Sequence, residues 1–203
     1  MEKKNSVLIN NKIGKFNKTI ISVESDKSIS HRSLLIASQC IGPSNINNIL
    51  ESEDVKNTII CLQKLGVKIL KKNKKYIVYG NGLGSFKKPK NNFLYTGNSG
   101  TLTRLIFSLI GTQSNLKVKI SGDASLNKRD MKRIIDPLSK IGCNFYPKNK
   151  VTLPLTIEGT SMPLAQKHLE KIGSAQVKSS ILLAALNTQG TTQIEVKKIS
   201  RDH

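Results

Sequence analysis

The chain has 203 residues, enough to bury a core, and this length predicts one domain or two small ones. Hydrophobic residues make up 37% of it, the mean hydropathy is −0.26, and no apolar run approaches the roughly 18 residues of a membrane-spanning helix. The N-terminal stretch MEKKNSVLI is too short for a signal peptide, so we expect a soluble protein in the cytoplasm.

The net charge of +20 would suit a protein that binds nucleic acid or anionic lipid. However, 28 of the 33 basic residues are lysines, many of them in polar loops such as residues 71–75 and 87–90, and nine aromatic side chains offer few platforms for stacking bases. The arginines lie in compact motifs instead, and the guanidinium fork suits phosphate and carboxylate. A basic nucleic-acid-binding module is the alternative that salt-dependent DNA binding would reveal.

The chain has three cysteines, Cys40, Cys61 and Cys143. They are odd in number, far apart and without a histidine at metal-ligand spacing, so neither a disulfide framework nor a metal site is predicted. We expect all three to be buried thiols.

A unit of helix, strand, helix and hairpin is repeated along the chain, and glycines end its helices. The first copy opens at residues 27–30. Its predicted elements are a helix over 32–41 that breaks at a Gly-Pro pair, a strand over 45–50, a helix from 51–54 to Gly66, and a hairpin of 67–70 and 76–79.

The second copy opens at residues 97–101 and the third at 174–176. The predicted elements of the second are a helix over 102–110, a strand over 117–121, a helix over 131–141, and strands over 143–146 and 153–157. The third has a helix over 177–186 and a strand over 192–196, and Asp202 stands where the earlier copies have Asp54 and Asp130.

This repeat predicts a third copy that is truncated, with an atypical capping repeat as the alternative. The predicted fold class is α/β, with helices either inside a ring of sheets or against one sheet.

Each opening places small polar residues at a helix N-terminus, where they either cap the helix or help to bind an anion. Cations accompany them: Lys27 and Arg32 at the first opening, Arg104 at the second, and Lys128 and Arg129 in the loop of the second copy. The combination predicts a doubly anionic or phosphorylated small ligand.

Six segments carry a specific resemblance: DKSISHRS (26–33), LESEDV (50–55), GNSGT (97–101), GDASLNKR (122–129), SAQVKS (174–179) and SRDH (200–203). In order and spacing they resemble the N-terminal half of the 5-enolpyruvylshikimate-3-phosphate synthase (3-phosphoshikimate 1-carboxyvinyltransferase) family, from about residue 11 onward.

The resemblance implies an enolpyruvyltransferase-type domain of three βαβαββ units, an inside-out α/β barrel, with the third unit truncated. Residues 1–20 would form a strand that pairs with the missing second domain, and residues 21–203 would form the first domain. It implies transfer of the enolpyruvyl group of phosphoenolpyruvate to the 5-hydroxyl of shikimate 3-phosphate, with release of phosphate. No metal or organic cofactor is expected, and the complete protein would be a monomer.

The resemblance also implies the substrate contacts. Those to shikimate 3-phosphate would come from Lys27, Ser28, Arg32, Ser174, Ala175, Gln176 and Arg201. Those to phosphoenolpyruvate would come from Lys27, Asn98, Gly100, Thr101, Arg129 and Gln176.

The family's acid and base carboxylates lie in its second half, so we expect no catalytic residue here and no turnover by this chain alone. Gly100 is the residue that glyphosate-sensitive relatives carry, and we expect the complete protein to be sensitive.

Three further alternatives have discriminating features. UDP-N-acetylglucosamine enolpyruvyltransferases share the chemistry but use a loop cysteine five residues before an arginine, where this chain has Ala124 before Arg129. A fragment that binds nothing is also possible, because half-proteins expose an interface. His31 could be a general acid, but its neighbour Arg32 faces the ligand and successive helix positions point about 100° apart, which favours a structural role.

Overall fold

The computed structural model describes residues 25–73 and 75–197. It contains five α-helices and nine strands, in an order that follows the repeat. The elements of the first copy are α1 (Lys27–Gln39), β1 (Ile41–Asn47), α2 (Glu53–Lys64), β2 (Lys68–Lys72) and β3 (Lys75–Asn81). The three strands form an antiparallel sheet in the order β1-β3-β2.

The second copy is a complete βαβαββ unit. Its elements are β4 (Phe93–Tyr95), α3 (Gly100–Gly111), β5 (Lys117–Ser121), α4 (Lys132–Ile141), β6 (Asn144–Tyr146) and β7 (Leu155–Glu158). The sheet order is β4-β5-β7-β6, in which β4 and β5 are parallel and the remaining pairs are antiparallel.

The third copy, within the described residues, has β8 (Lys167–Glu170), α5 (Ala175–Ala185) and β9 (Gln193–Val196). The strands β8 and β9 pair in parallel, as β4 and β5 do on either side of α3. The first half of the βαβαββ unit therefore recurs with the same strand direction, which confirms the repeat that the sequence predicts.

Helix α3 lies at the centre of the core. Ten of its twelve residues are buried, so it is enclosed on almost every side rather than along one stripe. It contacts α1, α2, α4 and α5, and the three separate sheets lie around these helices. Of the two arrangements that the sequence left open, the helices are therefore inside and several sheets surround them.

Two glycines fix the hairpins to the inner helices in equivalent ways. A side chain at Gly80 would overlap the carbonyl oxygens of Ala37 and Cys40 at the end of α1, and one at Gly159 would overlap those of Ile110 and Gln113 at the end of α3. Only a residue without a Cβ allows this close approach of two backbones. The first and second copies thus hold the region of their last strand against the C-terminal end of their first helix.

The structure corrects two predictions about local structure. Cys40 is exposed, because it is the C-cap of α1, whereas Cys61 and Cys143 are buried and burial raises the pKa of both thiols to about 12. The Gly-Pro pair was predicted to separate the first helix from a strand over 45–50. Both residues instead lie within β1. Pro43 is tolerated there because β1 is an edge strand within the described sheet and its missing N–H costs no ladder bond on the open side.

Candidate functional site

Helices α1, α3 and α5 begin at the same end of the domain. Their first two turns are joined by side-chain hydrogen bonds: Arg32 of α1 donates to Ser179 of α5, and Gln176 of α5 donates to Thr101 of α3. The three openings that the sequence singles out therefore lie side by side. Each contributes backbone N–H groups that have no acceptor within the helix.

The opening of α1 carries two cations and a hydroxyl. Asp26 caps the helix by accepting from the backbone N–H of Ile29 at 2.7 Å, so a carboxylate already occupies the capping position. An added anion would consequently contact the side chains of Lys27, Ser28 and Arg32. Lys27 forms an ion pair with Asp54 of α2 at 3.0 Å.

Arg32 is held by neutral partners. Its Nη1 donates to the carbonyl oxygen of Ser28 at 3.1 Å, and its Nε and Nη2 lie 3.1 and 3.0 Å from the hydroxyl oxygen of Ser179. These contacts orient the guanidinium group without neutralising it, so its charge remains available to a ligand.

The opening of α3 lies where the parallel strands β4 and β5 both end. The backbone N–H of Thr96 donates to Ser121 at 2.9 Å, and that of Asp123 donates to Gly97 at 2.9 Å, so the loops after the two strands run together. Gly97 has φ +61° and lies against the side chain of Asn57, which leaves no space for a Cβ. Ser99 then caps α3 by accepting from Leu102.

Polar side chains form a rim in front of this turn. Arg129 donates to the amide oxygen of Asn98 at 2.9 Å, and the amide group of Asn98 donates to Asp123. The pKa of Asp123 is lowered mainly because its carboxylate accepts from the backbone N–H of Leu126, and secondarily by Asn98. Asn98 thus links the guanidinium group of Arg129 to the carboxylate of Asp123.

Gly100 brings two guanidinium groups close to the backbone. A Cβ at this position would lie 2.8 Å from Nη1 of Arg104 and 3.3 Å from Nη1 of Arg129. The N–H groups of Gly100 and Thr101 start the helix and have no intrahelical acceptor. The result is a small positive recess with backbone donors beneath it.

The opening of α5 completes the group. Ser174 caps this helix by accepting from Val177 at 3.4 Å, and Ala175 is exposed beside it. The amide oxygen of Gln176 accepts from Arg104 at 2.8 Å, while its Nε2 donates to Thr101 at 3.0 Å. Gln176 therefore fixes the position of Arg104 relative to the turn at Gly100.

The arginines at this end share one electrostatic property. Across residues 25–73 and 75–197, no carboxylate lies within 4.0 Å of any of them, and they are Arg32, Arg104, Arg129 and Arg133. The pKa of Arg104 is lowered chiefly by burial and then by the charges of Arg129 and Arg133. Such a concentration of unneutralised charge is relieved when an anion binds.

The structure places ten of the eleven residues expected to contact substrate at this end. The helix openings and the loop beside them supply all ten, namely Lys27, Ser28, Arg32, Asn98, Gly100, Thr101, Arg129, Ser174, Ala175 and Gln176. Arg201 lies outside the described residues, as does the strand expected over residues 1–20.

Two residues at this end had no role assigned from the sequence. Asp54 holds Lys27, and Ser179 holds Arg32. Both lie in segments that carried the resemblance, so membership of a shared motif was the signal that could have found them. Arg104 was recognised as a cation, but its hydrogen bond to Gln176 depends on two helices that meet only in the fold.

Other features of the described residues suit a doubly charged ligand less well. A cavity of about 600 Å³ lies at the opposite ends of α3 and α5, and every residue that lines it is uncharged.

In the described part of the chain, no group of three or more His, Cys, Asp or Glu residues could hold a metal ion. No helix there is both long and apolar enough to cross a membrane.

Comparisons with known proteins agree with this geometry. The family model described as EPSP synthase (3-phosphoshikimate 1-carboxyvinyltransferase) matches residues 11–203. The 3-phosphoshikimate 1-carboxyvinyltransferase of Bartonella henselae is 43% identical over 187 residues, which are 91% of this chain and 41% of that protein. The one from Petrotoga mobilis is 45% identical, over 90% of this chain and 42% of that protein.

A solved structure of EPSP synthase from Acinetobacter baumannii superposes with a TM-score of 0.83 at 36% identity, covering 90% of this chain and 41% of that one. The chain thus spans about two fifths of the length of the relatives it matches, and its fold is that of the enolpyruvyltransferases. From the match over residues 11–203 and these likenesses, the chain belongs to the EPSP synthase family.

Proposed function

We propose that this chain supplies the shikimate 3-phosphate site and part of the phosphoenolpyruvate site of an enzyme. The enzyme would transfer the enolpyruvyl group of phosphoenolpyruvate to shikimate 3-phosphate. The observation that carries the proposal is the meeting of three helix N-termini with four arginines that have no carboxylate within 4.0 Å in the described part of the chain. Both substrates carry a phosphate and a carboxylate, which such a surface attracts.

Shikimate 3-phosphate would bind at the openings of α1 and α5. The hydrogen bonds from Arg32 to Ser179 support this, because they join the two openings and leave the guanidinium charge uncompensated. The contacts would come from Lys27, Ser28, Arg32, Ser174, Ala175 and Gln176, with Arg201 from beyond the described residues.

Phosphoenolpyruvate would bind at the opening of α3. The absence of a side chain at Gly100 lets an anion approach the guanidinium groups of Arg104 and Arg129 and the free N–H groups of the first turn. Asn98, Thr101 and Gln176 would complete the recess. Lys27 would lie between the two ligands.

In the proposed reaction, the 5-hydroxyl oxygen of shikimate 3-phosphate forms a bond to C2 of phosphoenolpyruvate, and its proton leaves. The alkene carbon takes up a proton, and loss of phosphate and a methyl proton from the tetrahedral adduct restores the double bond. The cations of this chain hold two anions that would otherwise repel each other and stabilise negative charge in the transition state.

The groups that move protons would come from a second domain outside this chain, against which residues 1–20 would pair as a strand. Residues 21–203 would be the first domain of the complete protein, which we propose to be a cytoplasmic, glyphosate-sensitive monomer that needs no metal or organic cofactor.

Calorimetric titration with shikimate 3-phosphate and with shikimate tests this proposal. We expect saturable binding of the phosphate ester, at least about tenfold tighter than shikimate, and loss of that preference in Arg32→Ala. Lys88→Ala, which removes an exposed lysine from a loop outside the site, is the matched control and should bind as the unmodified chain does. Equal affinity for both compounds, or binding only to DNA with steep salt dependence, would contradict the proposal.

A further inference from the structure

A histidine lies buried directly beneath the candidate site. The side chain of His31 has no exposed surface, and it belongs to α1, one residue before Arg32. None of the substrate contacts proposed above involves it. A fully buried imidazole that does no chemistry is costly unless its nitrogens find partners.

The imidazole reaches two neighbouring helices. Its Nδ1 lies 2.7 Å from the hydroxyl oxygen of Thr58 in α2, and its Nε2 lies 3.5 Å from the hydroxyl oxygen of Ser99, the N-cap of α3. Thr58 and Ser99 are buried as well. One side chain therefore links α1, α2 and the first turn of α3 within the apolar core.

The other contacts of these hydroxyls favour one tautomer. Thr58 donates to the carbonyl oxygen of Asp54 at 3.3 Å, so its hydroxyl oxygen is free to accept a hydrogen bond from Nδ1–H of His31. Nε2 then carries the lone pair and accepts from the hydroxyl of Ser99, whose own lone pair accepts from the N–H of Leu102 at 3.2 Å. Every donor in this series of hydrogen bonds has an acceptor when His31 is neutral.

We propose that His31 is a positioning residue that holds the Ser99–Gly100 turn of α3 in register with the opening of α1. Through Thr58 it contacts the helix turn of α2 that carries Asp54, the partner of Lys27. Through Ser99 it holds the residue next to Gly100. The inference rests on the proposed function, since the aligned openings are the two substrate sites.

Because Nδ1 and Nε2 of His31 contact different helices, two variants can test the two contacts separately. His31→Asn keeps a polar atom near the place of Nδ1 but cannot reach Ser99, whereas His31→Gln places a polar atom near the place of Nε2. Gln113→Leu is a structural control: Gln113 is buried at the other end of α3, where its amide oxygen accepts from the N–H of Phe86 at 3.0 Å and its Nε2 donates to the carbonyl oxygen of the same residue.

The experiment measures the dissociation constants of phosphoenolpyruvate, at saturating shikimate 3-phosphate, and of shikimate 3-phosphate alone, together with the unfolding midpoint in urea. For His31→Asn we expect about tenfold weaker binding of phosphoenolpyruvate and a change of less than about threefold for shikimate 3-phosphate. His31→Gln should restore phosphoenolpyruvate binding to within about threefold. Gln113→Leu should lower the unfolding midpoint without changing either constant.

Three results would overturn the inference and are distinguishable from one another. If the unmodified chain binds both ligands and His31→Asn binds phosphoenolpyruvate equally well, or loses both ligands in proportion to stability as a general fold defect would, His31 is not a positioning residue. If the unmodified chain binds neither ligand, the proposed function fails and this inference with it.

Discussion

The guanidinium group of Arg104 donates a hydrogen bond of 2.8 Å to the side-chain amide oxygen of Gln176. Residue 104 belongs to α3 and residue 176 to α5, so this contact sets the spacing between two of the three helix openings. Nη1 of Arg104 also lies 2.8 Å from the position that a Cβ at residue 100 would occupy, which is closer than van der Waals contact. The position of one arginine therefore depends on both the packing of α5 and the absence of a side chain at residue 100.

Gly100→Ala should weaken phosphoenolpyruvate binding while leaving the fold intact. The new methyl group would lie 2.8 Å from Nη1 of Arg104 and displace that flexible group, which breaks its alignment with Gln176. Alanine favours helix over glycine by up to about 1 kcal/mol, so the free energy of unfolding should stay equal or rise. Ligand titration and urea unfolding check the two halves of this prediction, and unchanged affinity for phosphoenolpyruvate would contradict it.

Gly80→Ala and Gly159→Ala should both destabilise the fold, by about 1–3 kcal/mol or more each. In both cases the added methyl would overlap carbonyl oxygens at the end of an inner helix, and backbone cannot swing aside as a side chain can. Urea unfolding measures the loss. Gly100→Ala is the natural comparison, because there the obstacle is the tip of a long side chain; similar stability for all three variants would refute the close-approach argument.

Stability should fall on acidification because of His31. Burial lowers the pKa of this imidazole from 6.5 to about 4, with the charges of Lys27 and Arg32 adding to the shift and Asp54 opposing it. Between these pH values the unfolded chain binds the proton and the folded chain does not, so stability is full above pH 6.5 and is lost as pH falls to about 4. The stability lost between these pH values is on the order of 3 kcal/mol.

The matched measurement compares urea unfolding of the chain and of His31→Asn from pH 7 to pH 4. The asparagine variant should show a shallower decline, since it lacks the titrating group. Parallel curves for the two proteins would show that His31 does not carry the pH dependence.

With both substrates present, the chain alone should release no phosphate above background. The described site contains cations, hydroxyls and amides that bind and orient anions, and the proton-transfer groups are proposed to lie in a second domain. Phosphate release is the measurement, with the 3-phosphoshikimate 1-carboxyvinyltransferase of Bartonella henselae as positive control. Turnover in proportion to the amount of purified chain would contradict the proposal that the proton-transfer groups lie in a second domain.

Much of the fold could be predicted because helix caps and terminating glycines are local signals. Strand β5 matches its predicted span, and α4 begins within one residue of the predicted start. Strands β4 and β8 were not found from pattern, since three or four residues give too little alternation to distinguish a strand from a loop. The predicted start of β1 was wrong because Gly42 and Pro43 are ordinary loop signals. Only the pairing with β3 shows that they lie in an edge strand.

The candidate site was predictable in its residue types and not in its connections. Cations at three helix openings indicate an anion ligand from sequence alone, yet nothing in sequence spacing shows that Arg32 meets Ser179 or that Arg104 meets Gln176, which are far apart along the chain. His31 was expected to be structural because its neighbour Arg32 faces the site, and the structure shows that its side chain is buried. Its contacts with Thr58 and Ser99 depend on helix packing, which periodicity does not specify.

The central claim is that the openings of α1, α3 and α5 form one continuous anion-binding surface with a site for each substrate, and backbone NMR during titration with shikimate 3-phosphate and then phosphoenolpyruvate tests it most directly. We predict that shikimate 3-phosphate shifts the amide signals of Ser28 and Gln176 with a single saturation curve, that phosphoenolpyruvate then shifts the signal of Gly100, and that the signals of the lysine-rich hairpin β2–β3 stay in place. Shifts confined to that hairpin, or different saturation curves for Ser28 and Gln176, would contradict the claim.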